Sequence, residues 1–147
     1  MPIYYDSNGK QYRTVAETDF GGKPFVADIH KASLNNDNFR LALWTGSQLQ
    51  VTLMSIPAGG DIGLEMHPDV EQFLLVEAGS GVVHIGEKAD LLTYNQPIYP
   101  DSAIMIPAGT WHNIVNLGNE PMKLYSIYAP PEHALGTIHP TQADDHH

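Results

Sequence analysis

The sequence contains no cysteine. Disulfide staples, zinc–thiolate sites and thiol nucleophiles are therefore excluded, and the absence fits any redox compartment. Basic residues are scarce: 7 Lys plus Arg stand against 17 Asp plus Glu, a formal net charge of −10 with histidine neutral. Phosphate backbones repel so acidic a domain, and it lacks the basic patch that draws proteins to anionic bilayers. Neither nucleic acid nor membrane is expected as a partner. No apolar run approaches the length of about 18 residues that spans a bilayer. Met1–Asp6 lacks the basic start and apolar stretch of a secretory signal. The sequence thus predicts a soluble cytoplasmic protein. Long helical periodicity is missing too, and at most residues 27–34 read as one short helix.

What is present points to a single β domain. The 147 residues carry 13 Gly and 11 Pro against only 16% charged side chains, which suits a compact β protein with many turns. Turn signals stand at residues 7–10, 21–24 and 35–38. Leu49, Val51 and Leu53 alternate with Gln50, Thr52 and Met54 at the period of a half-buried strand. Further strands are predicted over residues 72–77, 82–85, 103–106, 112–115 and 124–128. Many short strands with Gly/Pro punctuation make a sandwich or small barrel. The expected domain fills residues 1–147, with N-terminal strands within 1–45 and a polar tail over 130–147. That tail, which includes His133 and His139, reads first as a surface segment, with closure of the barrel mouth or docking on a partner subunit as the alternatives. Trp44, Trp111 and Tyr125 read as core aromatics, and His84 as an ordinary strand histidine. His30 has no identifiable partner.

Two segments carry chemistry. In Gly59–Gln72, an extended backbone would put Glu65 and His67 on one face, two residues apart. A turn at Pro68–Asp69 then brings in a strand with Gln72, Leu74 and Val76 on one face and Glu71, Phe73 and Leu75 on the other. In Ile106–Asn116, a Pro-x-Gly turn delivers His112 to the start of another strand. Imidazoles and oxygen donors converging from different strands suit a divalent metal such as Mn, Fe, Co or Ni.

These segments resemble the two cupin motifs. Gly59, Glu65, His67, Gln72 and Gly79 fall on the fixed positions of G-x5-H-x-H-x4-E-x6-G, over about residues 59–79. Pro107, Gly109, His112 and Asn116 match G-x5-P-x-G-x2-H-x3-N, over about 101–116, where Asp101 stands in place of the leading Gly. The resemblance implies an all-β, double-stranded β-helix (jelly-roll) barrel. It also implies one divalent transition metal (Mn, Fe, Ni, Co or Zn) on Glu65, His67, Gln72 and His112. Glu65 replaces the usual first His and Gln72 the usual Glu, and Glu71 is a rival for the third position. Gln72 is preferred because it lies six residues before the expected Gly and on the face of Leu74 and Val76. Small cupins commonly pair through sheet edges, so a homodimer is expected. The oxygen-rich ligand set favours a metal-dependent enzyme on a small sugar-like or keto-acid-like substrate. An oxygen-dependent dioxygenase and a non-catalytic metabolite-binding protein are the alternatives; fold alone does not choose among them. No catalytic residue is assigned.

Overall fold

A computed structural model describes residues 19–145, together with the backbone of two short paired strands, β1 (Tyr4–Tyr5) and β2 (Gln11–Tyr12). The turn expected at residues 7–10, and His146 and His147, lie outside the described residues. The chain continues through helix α1 (Ile29–Asn35), with Asp28 as its N-cap accepting from the Lys31 amide at 3.0 Å. Eight strands follow: β3 (Arg40–Thr45), β4 (Gln50–Ile56), β5 (Glu71–Ala78), β6 (Gly81–Gly86), β7 (Tyr94–Ile98), β8 (Ala103–Ile106), β9 (Trp111–Asn116) and β10 (Met122–Ala129). The short β11 (Ile138–His139) is the last strand described, and a 3-10 turn over Gln142–Asp144 follows it. One antiparallel sheet has the order β11-β3-β4-β10-β5-β8, and the other β7-β6-β9. The two form the expected jelly roll, and no helix among the described residues is long and apolar enough to cross a membrane.

β4 departs from the half-buried strand that its alternation predicts. Nearly all of it is buried. Leu53 packs with Leu41, Leu43 and Ala32 under α1, whereas Met54 and Ile56 join the barrel core with Leu74, Val76 and Leu124. Polar Gln50 and Thr52 share the inner face with Met54, so the alternation separates two buried faces rather than core from solvent. β7 escaped sequence reading because it is an exposed strand at a sheet end carrying Pro97, and Pro is tolerated on such edges.

Register gives the interior a direction. Leu124 faces Met54 and Val76 across β10, Ser126 faces Thr52 and Leu74, and Tyr128 faces Gln50 and Gln72. All of these are buried, so the barrel is apolar at one end and increasingly polar toward the other. Asp101 explains its departure from the motif: its φ of 74° is in the left-handed region where glycine is the easy choice and Asp is tolerated.

The tail lies on the surface but is tied down across the barrel. β11 adds to β3, and the Gln50 side chain clamps His133 by accepting from its amide at 3.0 Å and donating to its carbonyl at 2.9 Å. The Gln142 amide donates to Asp61 at 3.1 Å. Residues 130–145 thus form a strap across the polar end. Trp44, Trp111 and Tyr125 are half-buried, and Tyr125 packs against the core cluster of Leu41, Leu43 and Leu53. His84 is a strand residue bonded to Asn95, and His30 does have a partner, Glu77.

Candidate metal centre

Residues 61–67 make no regular strand, yet they are stitched to the second sheet. The Ile62 amide donates to the Ile114 carbonyl at 3.0 Å. Glu65 and His112 exchange backbone hydrogen bonds at 3.0 and 2.9 Å. The Gly109 amide holds the His67 carbonyl at 2.8 Å, tying the Pro-x-Gly turn to the first motif. Extended backbone from residue 65 to 67 then turns both side chains inward.

One ligand atom each from Glu65, His67 and His112 lies within 4.8 Å of the others. Glu65 Oε1 is 3.3 Å from His112 Nε2 and 3.5 Å from His67 Nε2. All three residues are buried. The outer imidazole nitrogens are engaged: His112 Nδ1 is 3.0 Å from the Thr110 carbonyl, and His67 Nδ1 is 3.2 Å from Glu132 Oε1. With the Nδ1 proton donated outward, each ring presents its Nε2 lone pair inward. This is the arrangement by which outer partners orient metal-binding imidazoles. Burial lowers the pKa of His67, but the Glu65 and Glu132 carboxylates outweigh it and the net shift is upward.

Gln72 occupies the same interior surface, opposite Tyr128, whose ring packs on His67 at 5.7 Å. Its Nε2 donates to Ser126 Oγ at 2.8 Å. Its Oε1 is buried without a hydrogen-bond partner. A buried amide acceptor left unspent is costly unless something electropositive meets it. Glu71 is exposed on the outer face of β5, whereas Gln72 is buried. Two imidazole nitrogens, a carboxylate and an amide oxygen form a donor set that fits a divalent transition metal.

Sequence reasoning missed Glu132 and the Thr110 carbonyl. Glu132 stands in the noted tail, but only closure of the strap brings it to His67.

The cupin domain profile matches residues 52–128. The chain is a cupin. This cupin is 56% identical over 132 residues to the uncharacterized protein YrkC of Bacillus subtilis (strain 168), covering 90% of this chain and 71% of that one. It is 35% identical over 115 residues to the uncharacterized protein L612 of Acanthamoeba polyphaga mimivirus, covering 78% of this chain and 70% of that one. The crystal structure of BH2720 from Bacillus halodurans superposes with a TM-score of 0.86 at 57% identity, over 86% of this chain and 96% of that one.

Proposed function

We propose that this cupin is a metal-dependent enzyme acting on a small oxygen-rich metabolite of the keto-acid or uronic-sugar kind. One divalent transition metal (Mn, Fe, Ni, Co or Zn) would be held by Glu65, His67, Gln72 and His112. The observation that carries this is the unspent, buried Gln72 Oε1 on the interior surface shared with a Glu/His/His cluster whose imidazoles are already oriented from outside. Bound there, a divalent cation supplies Lewis acidity toward carbonyl and hydroxyl oxygens.

The chain's own residues set how that acidity is used. Gln72 is neutral, so Glu65 is the one anion among the four donors, and the centre keeps net positive charge to offer a substrate. Thr110 and Glu132 fix both imidazole tautomers. Tyr128, wholly enclosed and with its pKa raised by burial, stays protonated beside His67 and can donate to a substrate oxygen.

The test is elemental analysis of protein purified without a His-tag, followed by a screen of keto acids and unsaturated uronates with and without oxygen. The expected result is about one divalent metal per chain and turnover that persists anaerobically. Turnover only with oxygen would make the protein a dioxygenase-type cupin. Binding without turnover would make it a metabolite-binding one.

A further inference from the structure

The barrel is open along one flank. β7 and β8 are end strands of their two sheets, and among the described residues no strand pairs with the outer edge of either. Pro97 removes one donor from β7, which disfavours zipping the two edges together. Two cavities of about 470 and 440 Å³ lie along this seam, and Ile85, Tyr94 and Met105 border both.

Register shows which way the seam's side chains point. Ile85 pairs with His112 on one side and with Tyr94 on the other. Val83 pairs in the same way with Ile114 and Gln96. Paired residues share a face of an antiparallel sheet, and His112, Val83 and Ile114 are buried in the interior. Tyr94 and Gln96 therefore stand on the interior face of β7, yet both are exposed, Tyr94 by 57%. An interior-facing aromatic that meets solvent marks an opening into the barrel. The row His112, Ile85, Tyr94 crosses two strand spacings, so it leads from the candidate metal centre to that opening over about 10 Å. Thr110, whose carbonyl faces the His112 ring, borders the larger cavity. The strap, meanwhile, lies across the polar end.

We propose that this seam is the ligand's entrance and holds the outer half of a hydroxylated, ring-sized metabolite of the pyranose class, with Tyr94 as the wall on which the ring's C–H face stacks. The inference rests on the proposed function and narrows it. A three-carbon keto acid held at the metal centre would not reach Tyr94, whereas a six-membered ring with its carbonyl or acid oxygens toward the cation would. Tyr94, Ile85 and Met105 supply the apolar surface, and the Gln96 amide and Thr110 hydroxyl supply hydrogen bonds to ring hydroxyls. Glu87 and Lys88 border the larger cavity together, so its side-chain charges cancel. The outer part of the ligand is therefore uncharged, which disfavours sugar phosphates.

The test is calorimetric titration of metal-free and metal-loaded protein with galacturonate, galactose, pyruvate and glucose 6-phosphate. It compares wild type, Tyr94→Ala, Tyr94→Phe and Tyr99→Ala. Tyr94→Ala should weaken both unphosphorylated sugars about tenfold, the scale of a lost aromatic contact. Tyr94→Phe keeps the ring face and should hold both affinities within about twofold. Tyr99 is a comparably exposed tyrosine, at 60%, in the turn before β8, and Tyr99→Ala should change nothing. Pyruvate should bind all four forms alike, and glucose 6-phosphate should bind more weakly than galactose. Sugar affinities unmoved by Tyr94→Ala, an equal loss for pyruvate, or a preference for the phosphate would each overturn the proposal. So would a Tyr94→Ala effect confined to sedimentation, which would make the tyrosine a contact between copies. Metal-dependent pyruvate binding without any Tyr94-dependent sugar binding would sink this inference and leave the metal reading standing. Tyr94-dependent galactose binding to protein that takes up no metal would do the reverse.

Discussion

At His67 two carboxylates act against burial, and the balance has a sign that can be measured. The folded, metal-free protein holds this ring's pKa above its ordinary 6.5. The stability this contributes is fully present below the unfolded value and is lost as pH rises through the folded one. Metal needs the neutral ring, so its affinity should climb across the window in which the metal-free protein loses stability. Thermal melts and metal titrations from pH 5 to 8 test both slopes, and parallel slopes would contradict the site. Glu132→Gln should lower the His67 pKa and weaken metal binding by about 10-fold or more, the usual cost of losing an outer partner. His112→Ala should empty the site, whereas Glu71→Ala should leave occupancy near wild type. Gln72→Glu should bind metal at least as tightly but turn over more slowly, since added negative charge blunts Lewis acidity. Equal affinities by calorimetry would remove Gln72 from the ligand set. The convergence of Glu65, His67 and His112 was legible because period-two geometry and a short turn are local properties. Glu132 was not, because nothing local pairs it with His67.

Among the elements, the strap departs furthest from what its sequence suggests. Its polar, Pro-led composition reads as solvent-exposed, yet Gln50 and Arg40 on two inner strand faces hold it down. β4 misleads for a related reason: Gln50 and Thr52 point into the interior alongside Met54 and Ile56, while Leu53 packs under α1. Alternation fixes which residues share a face but not which face is wet. His133 makes the strap pH-sensitive. A base whose pKa is depressed on folding contributes stability present above its unfolded value, about 6.5, and lost as pH falls toward the folded value. Hydrogen exchange of residues 130–145, corrected for intrinsic rate, should show protection falling between pH 7 and 5. His133→Gln should shrink that change. Tight strand pairing sets another limit: a Cβ on Gly81 would meet the Val115 carbonyl at 2.0 Å. Gly81→Ala should therefore cost about 1–3 kcal/mol in a denaturant titration, the range for overpacking.

At the scale of the whole molecule, β7 and β8 are end strands of their sheets among the described residues, and Tyr94 and Met105 on them are 57% and 67% exposed. Such edges invite a second copy, and a homodimer is expected. Sedimentation velocity at micromolar concentration tests this, and a single monomeric boundary would refute it. The strap joins the two chemistries of the interior. One stretch of chain carries Glu132 against His67 and Asp145 against Arg40. Loosening the strap near Gln50 would release the carboxylate that keeps the imidazole basic. Strap closure and cation loading are then thermodynamically linked, and linkage is reciprocal. If a closed strap tightens the cation's hold by some factor, a bound cation favours the closed strap by that same factor.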